Sequence, residues 1–175
     1  MRAIAAPPLL LEPQTAAHAR EMFVVLCDPA IYEFENAPPS SEEALTKRYR
    51  DLESRRSGDC TQHWLNWVIR LPSRELAGYV QATVLPSREA FVAYELGSRH
   101  WRRGIGTTAV SAVLEELRTR YAVAKCVAVL KSANFRSLAL LHKLDFLPAT
   151  ETECARYGGE PNERVMVKSA VLAET

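Results

Sequence analysis

A single mixed α/β domain is what this sequence predicts, and three observations predict it. The chain has 175 residues, enough for one sizeable core and too few for two comfortable ones. Its hydrophobic pattern is helical near the start, strand-like in the middle and helical again after residue 104. A run of strands then gives way to strands alternating with helices, an order that produces a mixed sheet layered with helices.

The elements follow in chain order. PLLLE, residues 8–12, reads as a short strand. Thr15 caps a helix over 16–27, where Ala19, Met22, Phe23 and Leu26 recur at helical spacing. DPAIYEFENAPPSS, 28–41, mixes turn formers with aromatics and reads as a loop suited to lining a site. In SSEEALTKRYRDLESRR, Ser40 and Glu43 have capping-box spacing, and Ala44, Leu45, Tyr49 and Leu52 make a sparse apolar stripe, so a second helix runs to near Gly58. HWLNWVIRL, ELAGYVQATVL and EAFVAYELG carry strand chemistry. The pentapeptide LPSRE, at 71–75 and again at 85–89, sits between them. Pro then Ser suits the centre of a type I turn, so each copy reverses the chain and the three strands form an antiparallel meander. Two copies are too few for a repeat architecture.

After residue 104 one helical face carries Ile105, Ala109, Ala112, Val113, Leu117 and Tyr121, with Glu115, Glu116, Arg118 and Arg120 away from it. KCVAVLK, 125–131, is the continuous apolar strand of a parallel pair. Asn134 to Leu144 forms another helix, and ERVMVKSAVL gives a last strand.

Composition narrows the function classes. Hydrophobic residues at 47% and charged residues at 25% are globular values, which excludes disordered and fibrous chains. A net charge of +1 is a weak footprint for a nucleic-acid partner, and none is expected. Cys27, Cys60, Cys126 and Cys154 form no C-x-x-C pair and read as buried free thiols. His18, His63, His100 and His142 are scattered, so no metal is expected. MRAIAAPPLLLEPQ is broken by Pro7 and Pro8 and resembles neither a signal peptide nor a span. A cytoplasmic protein without a membrane partner is the expectation.

SRHWRRGIGTTAV, 98–110, carries the main chemical signal. A helix start preceded by glycines presents unpaired N–H groups and the positive end of the dipole, a cradle for phosphate or pyrophosphate. Gly104 and Gly106 let the backbone approach closely, and Arg102 and Arg103 add charge. A solvated basic loop before an ordinary helix is the plain alternative. The letters also spell G-x-G-x-x-A, a dinucleotide fingerprint. Against that reading, the motif follows a meander rather than opening a parallel sheet, SRHWRR separates it from the strand, and VAVLK offers no acid for a ribose.

YELGSRHWRRGIGTTAV, followed after a helix and a strand by NFRSLALLHKLDF, resembles the GNAT superfamily of N-acetyltransferases, and within it the RimJ/RimL-like branch. HWRRGIGTTA is similar to the branch's Y-W-G-x-G-x-A/G-T-E-A, and the second block to its N-x-x-S-x-x-L-x-x-K-L-G-F. Trp101, Arg102, Thr108 and Asp145 depart from the superfamily's commonest letters, and none of them removes a backbone N–H. Asp145 stands where a glycine normally caps the helix. The resemblance covers about residues 8–170 and implies the GNAT fold. That fold is a mostly antiparallel sheet of about six to seven strands with helices on both faces, splayed at a parallel pair around acetyl-CoA.

It further implies acetyl transfer from acetyl-CoA to a primary amine, by direct attack on the thioester. Gly104, Ile105, Gly106 and Thr107, with Arg102 and Arg103, correspond to the pyrophosphate loop. Leu96, Gly97 and Ser98 correspond to the backbone that holds the pantetheine arm. Glu95 matches the glutamate of the A-E-I/L-G-Y segment and would accept the amine proton, directly or through water; a solvent-facing strand residue is its other reading. Ser137 would protonate the leaving thiolate, and Asn134 would bind the cofactor arm or the amine, although both also suit a helix start. Tyr32, Glu33, Phe34 and Glu35 would give the acceptor aromatic walls and negative charge, or else pack the loop onto the core. The resemblance leaves the amine unnamed and leaves a homodimer open. A non-catalytic acyl-CoA-binding or interaction module of the same fold is the alternative function.

Overall fold

The computed structural model describes residues 1–34, 36–158 and 160–169. Along the chain lie β1 (Ile4–Ala6), β2 (Leu9–Pro13), α1 (Ala19–Leu26), α2 (Glu42–Leu52), β3 (His63–Arg70), β4 (Leu76–Val84), β5 (Glu89–Leu96), α3 (Ile105–Arg120), β6 (Lys125–Lys131), α4 (Phe135–Lys143), β7 (Leu147–Pro148), α5 (Glu151–Tyr157) and β8 (Glu163–Ser169). The strands form one sheet in the order β1-β2-β3-β4-β5-β6-β8-β7. Every neighbouring pair is antiparallel except β5 and β6. The mixed α/β GNAT fold expected from the sequence is therefore the fold observed, with eight strands among the described residues.

Both LPSRE copies reverse the chain. In each, the arginine N–H donates to the leucine carbonyl, Arg74 to Leu71 at 2.9 Å and Arg88 to Leu85 at 3.1 Å. The arginines take the left-handed conformation that such a turn needs before the next strand, with φ 71° and 63°.

β3 shows why helices lie on both faces. Leu65, Trp67 and Ile69 point into one core, against α3 and α4, whereas Val68 points into the other with Met22, Leu26, Leu45 and Tyr49 of α1 and α2. Period-2 alternation supplies both layers from one strand.

Several boundaries differ from the sequence reading. Ser41 rather than Ser40 caps α2, its hydroxyl accepting from the Ala44 N–H at 3.1 Å. That places Ala44, not Glu43, three residues on, and the expected capping box does not form. α2 stops at Leu52 because Arg55 turns left-handed (φ 59°) and its carbonyl accepts from Trp64 of β3. Glu116 is buried rather than on the outer face of α3, because Arg2, just before β1, reaches over to pair with it at 2.7 Å. Of the last expected strand, residues 170–172 lie outside the described residues. The cysteines are free, as expected, but Cys27, Cys60 and Cys154 are exposed and Cys126 is the buried one. No described helix is long and apolar enough to cross a membrane.

The parallel pair positions the site. β5 and β6 are in register only at Glu89–Lys125, Ala90–Cys126 and Phe91–Val127, after which they part. β5 meanwhile stays paired with β4 as far as Leu96 opposite Gly78. The sheet therefore opens into a wedge with Val92–Leu96 on one edge and Ala128–Leu130 on the other.

Candidate active site

A cavity of about 1270 Å³ fills this wedge and runs out between α2, the 29–40 loop, the start of α3, and α4. It brings together Tyr32, Phe34, Glu95, Leu96, Arg102, Gly104, Ile105, Gly106, Thr107, Asn134 and Ser137 of the expected site. Glu33, Gly97, Ser98 and Arg103 do not line it. Glu35 lies outside the described residues.

The start of α3 is an open anion cradle. Gly104 sits at the N-cap in the left-handed conformation, φ 77°, and no side chain caps the helix. The first turn's N–H groups consequently have no intrahelical acceptor. Gly106 lines the cavity and is buried, and a Cβ there would come within 2.9 Å of the Leu140 side chain of α4, so a small residue also suits the packing of the two helices. Arg102 is also left-handed, φ 59°, which accounts for the small glycine usual at that position.

Trp101 anchors the loop, its indole N–H donating to the Leu96 carbonyl at 2.9 Å. The Arg136 guanidinium lies 4.2 Å from the Trp101 ring centroid and 5.1 Å from that of Phe34, and it pairs with Glu33 at 2.5 Å. Glu33, expected on the acceptor side, is thus ion-paired with Arg136 at the edge of the cavity rather than in its lining.

The Gly97 and Ser98 amides are also committed. Gly97 donates to Ala77 at 3.0 Å and Ser98 to the Asp28 carboxylate at 2.7 Å. They are not available as the donors expected for a pantetheine arm. Burial works against the Asp28 carboxylate, yet hydrogen bonds from Ser98 and from the Ala30 N–H keep its pKa below the ordinary range.

Glu95 is half-buried at the end of β5, directly across from Tyr79 of β4. The two side chains share a hydrogen bond. Tyr32 and Tyr49 complete a group of phenols around this carboxylate, and burial pushes Tyr32, Tyr49 and Tyr79 all well above the ordinary tyrosine value. They stay neutral. A bulge in β4 sets this geometry. The β3–β4 register slips by one at Ile69/Arg70, and Gly78, φ 156°, passes so close to β5 that a Cβ would lie 2.0 Å from the Glu95 carbonyl oxygen.

α4 forms the opposite wall. Asn134 is its N-cap, its side chain accepting from the Ser137 N–H at 3.0 Å. Ser137 therefore stands in the first helical turn, and its carbonyl accepts from the Tyr94 hydroxyl at 3.3 Å. Burial raises the Tyr94 phenol to about 12. Asp145 keeps the normal cap geometry at the other end. It is left-handed, φ 61°. Its N–H bonds to His142 and the Phe146 N–H to Leu141, the paired bonds of a Schellman motif.

Residues that the sequence did not single out for the site include Arg48, Tyr79, His100 and Arg136, all of which line the cavity. The signal for Tyr79 was present: equal steps outward from the Leu85–Glu89 turn put it opposite Glu95. Among the described residues no group of three or more His, Cys, Asp or Glu side chains is arranged to hold a metal ion.

A sheet opened at one parallel pair, with an uncapped helix start at its mouth, defines the acetyltransferases as the class. The chain belongs to the acetyltransferase (GNAT) domain family, which it matches over residues 8–147. Among solved structures it is similar to RimL, the ribosomal L7/L12 alpha-N-protein acetyltransferase in complex with coenzyme A. The two share 17% identity and a TM-score of 0.79, over 95% of this chain and 97% of that one. A ribosomal-protein-S5-alanine acetyltransferase from Vibrio fischeri shares 15% identity and a TM-score of 0.74, over 99% of each chain. An acetyltransferase from Thermus thermophilus shares 19% identity and a TM-score of 0.71, over 93% and 97%. At these identities the shared property is the fold. No curated protein matches the chain.

Proposed function

We propose that this protein is an acetyl-CoA-dependent N-acetyltransferase acting on a primary amine. The observation that carries the reading is that the open α3 start, Glu95 and the Asn134–Ser137 turn face one cavity from three sides. Acetyl-CoA supplies an activated thioester, and the rest of the work falls to this chain. Ile105, Gly106 and Thr107 offer N–H groups and the helix dipole to its pyrophosphate, with Arg102 at the rim. The wedge between β5 and β6 receives the arm as a surrogate strand edge. Glu95, steadied by Tyr79, removes a proton from the acceptor ammonium directly or through water, and the Ser137 hydroxyl gives a proton to the departing sulfur. RimL, the fold neighbour described with coenzyme A, is in keeping with the cofactor.

Two measurements test the reading. Calorimetry with acetyl-CoA and CoA is expected to give saturable binding that Gly104→Asp weakens by placing a carboxylate at the cradle. A thiol-release assay across peptides, amino acids, polyamines and aminoglycosides is expected to reveal an acceptor, and Glu95→Gln to lower kcat by about 10²–10⁴-fold. Binding without release on any acceptor would instead leave an acyl-CoA-binding module. Absence of both refutes the cofactor site itself.

A further inference from the structure

The acceptor half of the cavity carries one charge of each sign. α2 turns a face of Ala44, Leu45, Arg48, Tyr49 and Leu52 to the cavity, five positions at helical spacing. Leu45 and Tyr49 are buried, and Ala44 and Arg48 are exposed, Arg48 being the charged member. Glu95 enters from β5. The positive charge of Arg48 and the negative charge of Glu95 act in opposite senses on the same three phenols, Tyr32, Tyr49 and Tyr79. Both residues line the same cavity, as do the three tyrosines. The Tyr49 hydroxyl, on a residue that lines the cavity, is buried without a hydrogen-bond partner among the described residues, a penalty that a bound polar group would relieve.

The remaining charges of the cavity belong elsewhere. Arg136 is paired with Glu33, Arg102 sits on the loop before α3, and Lys143 is the exposed last residue of α4. Glu95 is the one carboxylate among the described lining residues. A polycation would need several such partners, whereas one guanidinium and one carboxylate match an acceptor that bears both charges. A guanidinium holds a carboxylate by a bidentate fork, which a neutral or cationic substituent cannot accept.

We propose that the acceptor is an amine that also carries a carboxylate, with Arg48 binding the carboxylate while Glu95 faces the amine. This rests on the amine-acetylation reading above and makes Arg48 a specificity-determining residue for it.

The test compares acceptors differing only in the carboxylate: α-amino acids against their amides, ω-amino acids against alkylamines of equal length, and the C-terminally amidated dipeptide Asp-Ala against amidated Asn-Ala. The first two sets probe a free small molecule and the third a peptide terminus. Removing the carboxylate is expected to lower kcat/KM by about tenfold or more, mainly through KM. Arg48→Gln brings that ratio near one, Arg48→Lys restores part of it, and neither changes acetyl-CoA affinity. Calorimetric titration of the same pairs into protein saturated with CoA reads the preference without turnover. A ratio near one in the unmodified protein, a preference for spermidine, or a ratio unaltered by Arg48→Gln overturns the proposal while leaving acetyl transfer intact. Failure of acetyl-CoA to bind overturns the parent reading instead.

Discussion

Replacing Gly78 with alanine puts a methyl carbon 2.0 Å from the Glu95 carbonyl oxygen, 2.8 Å from the Leu96 Cα and 2.9 Å from the Glu95 carbonyl carbon. All three are backbone atoms, so no side chain can swing aside. Non-bonded contact between heavy atoms lies at roughly 3.5 Å, so the end of β5 must retreat from β4 by about 1 Å or more. Overpacking of this kind costs about 1–3 kcal/mol and occasionally more. In a domain of this size that lowers Tm by roughly 2–4 °C per kcal/mol, or about 2–12 °C in all. The larger consequence is expected in function, because Glu95 rides on the segment that moves. A misplacement of about 1 Å costs on the order of 100-fold in rate where a proton must be transferred in a fixed geometry. Thermal unfolding and steady-state thiol release on the best acceptor measure both effects, with acetyl-CoA affinity reporting whether the α3 cradle survives. A Gly78→Ala protein with Tm within about 2 °C and kcat/KM within threefold of the parent would refute the argument that this bulge fixes Glu95.

Other outcomes follow from single residues. Gly104→Ala meets no atom within 4 Å, so its cost is the left-handed backbone alone, about 1 kcal/mol after the entropy gained in the unfolded chain, and Tm should fall by only about 2–4 °C. A fall as large as that of Gly78→Ala would contradict this distinction. In the folded protein, an aromatic thiol reagent should titrate Cys27, Cys60 and Cys154 and spare Cys126, whose thiol is buried and pushed up to about 12; reaction of all four without unfolding would be inconsistent with the core described. His100 is buried, its Nε2 accepts from Arg99 at 3.0 Å, and its pKa is lowered by burial and then by Arg99. The unfolded chain therefore binds the extra proton more readily, and this residue costs stability as pH falls below its ordinary 6.5. Tm should rise from pH 5.5 to 7.5 more steeply for the parent than for His100→Gln, and equal slopes would show that His100 does not titrate there.

The fold was legible where a local rule and the tertiary contacts agree. The two LPSRE copies specify turns by Pro and Ser at central positions, and the structure makes the turn hydrogen bonds they imply. The apolar face of α3 was readable from its period, and Ala109, Val113 and Leu117 are indeed fully buried. What escaped was short or assembled from a distance. β1 has three residues and β7 two, too few for any period to show. α5 announced itself only through Thr150 and Glu153, which form a capping box. Glu116 looked solvent-facing because its partner Arg2 lies 114 residues away.

The two halves of the candidate site differ in the same way. The cofactor side is one contiguous loop and helix start, so spacing alone brought Gly104 to Thr107 into view, and the structure leaves the N–H groups of that first turn uncapped. The acceptor side draws Arg48 and Tyr49 from α2, Tyr79 from β4 and Glu95 from β5; the hairpin register links Tyr79 to Glu95, but no linear pattern links either to α2. In sequence the YEFE loop appeared to supply the negative charge. In the structure Arg136 pairs with Glu33 and stacks near Trp101 and Phe34. That tie joins the acceptor loop, the phosphate loop and α4 through one side chain. In the proposed reading the charge that faces the amine comes from Glu95, and its counterpart from Arg48 on a helix that the sequence showed only as an apolar stripe. Under the acceptor proposal, selectivity would depend on how α2 is laid against the end of the β4–β5 hairpin, and the Ala77–Gly78 bulge that bends that hairpin would bear on the selectivity as well as on the fold.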